Sequence, residues 1–209
     1  MSIQGVIFDF GGVISNMRWD VAHKLEEEHG LERNSLLRTL YGESAEWREV
    51  EVGRGDVEAW RKASHRRLEE AAGRPLPPLH EQWRATVGLI PENMGLIRAL
   101  RPPYRLAVLS NADNTLEDRM RDGLGIHDLF DTVVCSAVVG MAKPDHEVYR
   151  LTAERLTLPV EECVFIDDAE RNVTAAREVG MAAIHFRVER DDDLAAQLAE
   201  LGVKPTTGG

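Results

Sequence analysis

The sequence predicts an α/β fold, a doubly wound parallel sheet with a helical unit inserted after its first strand. Three observations carry this. Five short, apolar runs rich in β-branched residues are spaced along the chain, and each is followed by a stretch of helical periodicity, the pattern of βαβ units. The runs show little polar alternation, as expected of strands buried on both faces. Residues 16–88 break the rhythm with helical stretches and no convincing strand.

In chain order, IQGVIFD (3–9) is the first strand, ended by an acid and followed by Gly11-Gly12. The helical stretches DVAHKLEEEHG, SLLRTLYG, DVEAWRKASHRRLEEAAG and HEQWRATVG come next, with GRPLPP as a loop, and all four tryptophans (Trp19, Trp47, Trp60, Trp83) fall among them. A helical unit placed here reads as a cap over the ligand edge of the sheet. PENMGLIRALRPP is the first crossover helix back in the core. RLAVLSNAD (105–113), TVVCSAVV (132–139), ECVFIDD (162–168) and MAAIHF (181–186) are the other strands, each with a helix after it. The expected division is a core of residues 1–15 and 89–209 and a cap of residues 16–88. The tail from Lys204 to Gly209 should fray.

Composition narrows the function. The 209 residues suffice for one core and a smaller insert. No apolar run reaches the length of a membrane span, and the start shows no signal-peptide pattern. Cys135 and Cys163, the two cysteines, both sit in strand-like stretches, so they read as small buried apolar residues in a reducing, cytoplasmic protein. The net charge of −11 argues against nucleic-acid and anionic-membrane binding. An acidic protein that takes an anionic ligand then needs local positive charge, from a metal, a lysine or helix N-termini.

Ligands of an open parallel sheet sit at the carboxyl ends of its strands. There the first strand places Asp9, the second Ser110-Asn111 and the fourth Asp167-Asp168, while Lys143-Pro144 follows the third, with the proline placed to open a helix. Carboxylates suit magnesium, which usually keeps waters and a substrate phosphate as its other ligands. Backbone N–H groups near Ser110 and Asn111 suit an anion, or a helix cap built from the same groups. A lysine offsets the repulsion between an anionic nucleophile and a phosphate, and an aspartate can carry the phosphoryl group covalently.

These residues resemble the haloacid dehalogenase-like hydrolase superfamily, in its branch with a helical cap after the first motif. FDFGGV (8–13), LSNAD (109–113), GMAKPDHEVY (140–149) and VFIDDAERNVTAAREVGM (164–181) look like its four motifs, in order. The double-aspartate fourth motif most resembles the phosphatase domain of soluble epoxide hydrolases and small sugar-phosphate phosphatases. The resemblance implies a Rossmann-like core and a magnesium-dependent phosphatase acting on a small phosphorylated metabolite. It implies Asp9 as nucleophile and metal ligand, Ser110 and Asn111 as phosphoryl-holding residues, and Lys143 as a bridge from Asp9 to the phosphate. Asp168 and the backbone carbonyl of Gly11 would bind the metal, with Asp167 and Asn172 orienting its waters.

One position departs from the pattern. Family members usually carry a second aspartate two residues after the nucleophile, where it protonates the leaving oxygen; here Gly11 stands there. Acid–base help is worth roughly 100- to 10,000-fold. Three outcomes are open: a preference for good leaving groups, a substitute acid from the cap such as Asp20 or a histidine of the first cap helix, or a phospholigand-binding protein of weak turnover. The runner-up chemistry is a 2-haloacid dehalogenase, which needs no magnesium. Of the tryptophans, Trp19 is expected to line the pocket. A monomer or a homodimer fits equally.

Overall fold

A computed structural model describes residues 2–42 and 44–205; the last four residues of the tail expected to fray lie outside them. Five strands make one parallel sheet: β1 (Gly5–Phe8), β4 (Arg105–Ser110), β5 (Thr132–Cys135), β6 (Cys163–Asp167) and β7 (Ala182–His185), in the order β5-β4-β1-β6-β7. β2 (Ser15–Asn16) and β3 (Gly88–Leu89) form a separate antiparallel pair. Strand order runs outward from the central β1 in both directions. The crevice where it reverses lies at the carboxyl ends of β1, β4 and β6, where such sheets bind ligands.

Alternation along each strand divides the core. Val6 and Phe8, Leu106 and Val108, and Val164 and Ile166 face one layer, with Met94 and Ile97 of the helix Pro91–Ala99 and Leu194 and Leu198 of the helix Leu194–Glu200. Ile7, Ala107, Leu109 and Phe165 face the other, against Val148, Tyr149 and Ala153 of the helix His146–Leu156 and Ala175 and Ala176 of the helix Glu170–Glu178. Both faces are covered, so the strands read as continuous apolar runs.

The helices between β2 and β3 have an apolar cluster of their own. It joins Leu36, Leu40, Trp47, Trp60, Leu68, Leu79 and Trp83. Asp56 caps the longest of them, Val57–Ala72, by accepting from the backbone N–H groups of Glu58 and Ala59. Among the described residues no helix is long and apolar enough to cross a membrane.

Four details depart from the sequence reading. The two-residue strands β2 and β3 escape it because a pair so short shows no periodicity. TVVCSAVV is strand only to Cys135; Ser136–Val139 turns into a helix, and the Ser136 hydroxyl takes the Ala112 backbone N–H at 3.0 Å, so a side-chain bond replaces the next ladder bond. Pro144 does not open a helix. Asp145 caps it instead, accepting from the Glu147 N–H, and the helix starts at His146. Ser110 and Asn111 cap no helix either, because the next one starts at Leu116.

His80 of the helix Leu79–Arg84 is buried, with Nε2 3.3 Å from the Thr39 hydroxyl. Burial pushes its pKa down to about 4. The unfolded chain therefore binds the proton first as pH falls. Stability is whole above the unfolded value of about 6.5 and is lost as pH falls through 4, by about 3 kcal/mol in full. We expect His80→Gln to flatten the dependence of melting temperature on pH between 6.5 and 4. An unchanged slope would assign the acid sensitivity to other groups.

Candidate active site

Asp9 follows β1 directly, and its backbone N–H still donates to Ile166 O at 2.8 Å. The chain then folds into a tight turn in which Ile14 and Ser15 both donate to Phe10 O. The buried Asn93 amide holds this turn from the neighbouring helix, donating to Val13 O at 2.7 Å. Asp9 is thus fixed at the sheet edge, 8% exposed.

Lys143 meets it from the loop before the helix His146–Leu156. Its Nζ lies 2.9 Å from Asp9 Oδ1 and donates to Asp167 Oδ2 at 2.6 Å. Lys143 therefore spans Asp9 and Asp167 and has one N–H left for a phosphate. Asp167 is fully buried and saturated. Beside Lys143 it accepts from the Asn172 amide at 3.1 Å on each oxygen and from the Ala169 N–H at 2.8 Å. Its geometry makes it the holder of Lys143 more than an orienter of metal waters. Asn172 keeps Oδ1 buried and without a partner.

Asn111 is placed differently from the expectation. Its side chain is tied to the Lys143 peptide, accepting from Lys143 N at 2.8 Å and donating to Lys143 O at 2.9 Å, and it also donates to Glu51 at 3.2 Å. This amide fixes the lysine loop, which leaves the backbone N–H as what Asn111 offers an anion. Ser110 lines a cavity at this edge together with Asp9, Lys143 and Asp168.

Carboxylate oxygens of Asp9, Asp167 and Asp168 all lie within 4.8 Å of one another. Burial pushes Asp9 up to about 7; Lys143 opposes this, and Asp167 and Asp168 add to it. Burial raises Asp168 to about 6, and Asp167 contributes. For Lys143 burial acts downward, but Asp167 and Asp9 outweigh it and its pKa is raised. Three carboxylates against one ammonium leave two negative charges uncompensated in a buried place. With the orphaned Asn172 Oδ1 and the all-oxygen donor set, this fits a divalent, oxygen-seeking cation such as magnesium. Asp9, Asp167 and Asp168 are the carboxylates that could hold it, and Gly11 lines the same cavity.

Comparison with known proteins gives the family. The model of the haloacid dehalogenase-like hydrolases matches residues 3–180. The chain belongs to the haloacid dehalogenase-like hydrolase family. It is 25% identical over 206 residues to a D-ribitol-5-phosphate phosphatase of Bacteroides thetaiotaomicron, covering 94% of this chain and 97% of that one. It is 27% identical over 191 residues to a sesquiterpene phosphatase of Aspergillus oryzae, covering 88% and 90%. An 81-residue stretch is 38% identical to a drimenol cyclase of Aspergillus calidoustus, of whose length the chain spans 15%. In fold it is similar to a family enzyme of Bacteroides thetaiotaomicron whose crystal structure is a complex with magnesium and inorganic phosphate. The TM-score is 0.70 and the identity 20%, covering 94% of this chain and 99% of that one.

As a hydrolase of this family, the chain has a cavity of about 730 Å³ between sheet edge and helical insertion. All four tryptophans line it, where the sequence singled out Trp19. Asp20 and His23 lie elsewhere, in a surface hollow where Asp20 pairs with Arg18 at 2.9 Å. That removes Asp20 and His23 as substitutes for the missing acid.

Two residues carry more than the sequence showed. Gly12 has φ +78°, and a Cβ there would lie 2.3 Å from Asp168 Oδ2, so its missing side chain admits Asp168 to the site. A Cβ at Gly11 would lie 3.3 Å from Met17 Sδ. The methionine lies against the room that the usual second aspartate would use. The Gly-Gly pair after a strand-end acid is the only signal for the first; nothing in the sequence marks the second.

Proposed function

We propose that this protein is a magnesium-dependent phosphomonoester hydrolase that works through an aspartyl phosphate on Asp9. The Lys143 bridge from Asp9 to Asp167, beside Asp168, is the observation that carries the reading. Residues 1–15 and 89–209 form the catalytic core, and residues 16–88 the cap over it. The buried, unpaired Cys135 and Cys163 fit a cytoplasmic protein.

In this mechanism Asp9 attacks phosphorus through the oxygen that Lys143 does not hold. Lys143 opposes the protonation of Asp9 that burial favours and offers its third N–H to a phosphoryl oxygen. Ser110 and the Asn111 backbone N–H hold the other phosphoryl oxygens. Magnesium held by Asp9, Asp168 and the Gly11 carbonyl supplies further charge neutralisation on the phosphoryl group. As the Asp9 oxygen–phosphorus bond forms, the ester oxygen departs as alkoxide or phenoxide and takes its proton from water; a second water then cleaves the acyl phosphate to inorganic phosphate and regenerates Asp9.

No side chain at Gly11 protonates the departing oxygen, so good leaving groups are favoured. The test is release of 4-nitrophenol from 4-nitrophenyl phosphate with magnesium, lost on chelation. A folded protein that releases no phosphate from a broad ester panel with magnesium would sink the proposal; release of chloride from 2-chloropropionate without metal would favour the dehalogenase instead. Gly11→Asp, alone and with Met17→Ala to clear the sulfur, supplies the absent acid. We expect it to raise hydrolysis of an alkyl phosphate by about 100-fold or more and an aryl phosphate by far less. Equal gains on both esters would show that leaving-group protonation is not the limiting lack.

A further inference from the structure

The chemistry at Asp9 concerns the phosphate and not what it is attached to. The relatives leave that body open, one being named for a polyol phosphate and another for a terpenoid. The cap wall of the cavity is more specific. Trp60 Nε1 donates to Leu40 O at 2.8 Å, and Trp83 Nε1 donates to Met17 O at 2.6 Å. Trp60 and Trp83 thus spend their donors on the protein and are buried with Trp47 behind the cavity surface, while the half-buried Trp19 and Tyr41 are the rings left open to it. Trp19 stacks on Trp83 with centroids 4.8 Å and planes 21° apart. Tyr41, Trp47 and Trp60 form a second aromatic group, with centroids 4.8 to 5.9 Å apart.

Exposure points the same way. Leu37 and Leu124 are left 37% and 39% exposed, and both line this cavity. Exposed apolar side chains gathered around a concave active site mark ligand contact. The lining also carries Arg84, Arg119 and Arg171 beside Glu51 and Asp113. Asp113 accepts from Thr115 and lies in the field of Arg84 and Arg119. Glu51 accepts from Asn111 and feels Arg171. Along the stretch formed by Trp19, Tyr41, Leu37 and Leu124, a body bearing several hydroxyls would lose water without recovering its hydrogen bonds.

We infer that the substrate is the phosphate ester of a largely apolar, ring-bearing alcohol or phenol whose body lies against Trp19, Tyr41, Leu37 and Leu124. This rests on the proposed function for its phosphoryl end. The indole and phenol rings supply flat apolar contact at low entropic cost.

Matched pairs test it. 2-(1-Naphthyl)ethyl phosphate and ribitol 5-phosphate are both primary alkyl esters, so they differ in body and hardly in leaving group. With magnesium, kcat/KM should favour the naphthyl ester by about tenfold or more, as expected for burying two aromatic rings. Binding is read apart from turnover by quenching of tryptophan fluorescence. (1-Naphthyl)methylphosphonate should bind about tenfold or more tighter than methylphosphonate, and Leu37→Asp or Leu124→Asp should cut that ratio about fivefold. Preference for ribitol 5-phosphate, or equal binding of the two phosphonates, overturns the inference. Acetyl phosphate, which has almost no body, reads the phosphoryl site alone. Its failure to turn over while the naphthyl phosphonate still binds tighter would overturn the proposed function and leave the apolar body site standing.

Discussion

Asp9→Asn should abolish turnover and at the same time make the metal-free protein harder to melt. The first effect follows from the role of Asp9 as nucleophile; loss of such a group costs on the order of 10⁴- to 10⁶-fold. The second follows from its surroundings. Burial pushes Asp9 up to about 7, against an ordinary 3.8, and Asp167 and Asp168 add to this. A carboxylate with a raised folded pKa costs nothing below pH 3.8, costs more as pH rises, and reaches its full cost above 7. That cost is up to about 4 kcal/mol. Asparagine has the same shape and no charge. At pH 8 with a chelator the variant should therefore melt several degrees higher than the wild type, and near pH 4 the difference should vanish. Magnesium should raise the melting temperature of the wild type by more than that of the variant, since binding stabilises only as far as its site survives. A variant that melts lower at pH 8, or that retains turnover, contradicts this account of the site.

Gly12→Ala should be nearly as damaging, through geometry alone. The new Cβ would sit 2.3 Å from Asp168 Oδ2 and 2.9 Å from Asp168 Cβ. Asp168 has little room to retreat, because its backbone carbonyl is held by His185 Nε2 at 2.9 Å. Its carboxylate must swing out of the cluster. We expect turnover to fall at least about 100-fold and the magnesium concentration needed for half-activity to rise, since even indirect supports of a metal site are worth 10- to 100-fold. Gly30→Ala is the control. Gly30 has φ +69° and nothing within 4 Å of an added Cβ. It shares the left-handed backbone penalty of about 1–2 kcal/mol without the overlap. Gly12→Ala should lose at least as much stability as Gly30→Ala, and only Gly12→Ala should change the demand for magnesium. Equal magnesium dependence in the two would show that Gly12 serves as a turn alone.

Much of this was legible from the chain. The apolar runs ending in Asp9, Ser110 and Asp167 are strands of one parallel sheet, and the strand-end rule places those residues together. The short pair β2–β3 and the helix Ser136–Val139 were not legible, because two residues show no period and a β-branched run such as Val138-Val139 favours a strand until a serine bond diverts it. Roles shifted in the same way. Asp167 is an acid in a metal-like motif, yet its lone pairs go to Lys143, Asn172 and Ala169. Asn111 stands where a phosphate ligand is expected, yet its amide holds the lysine loop.

By itself the sequence determined the layered α/β core, the helical insertion, the family and the set of charged residues that meet at the sheet edge. These depend on period, chain order and residue type, all of which are one-dimensional. Only the tertiary structure decided which lone pairs remain free for a metal and that Gly12 is the opening for Asp168. It alone placed the Met17 sulfur beside Gly11 and set Trp19 and Tyr41 at the cavity in front of the buried Trp47, Trp60 and Trp83. Those facts depend on contacts between segments far apart in the chain, where a few tenths of an ångström separate a ligand from a clash, and no spacing in a sequence records that distance.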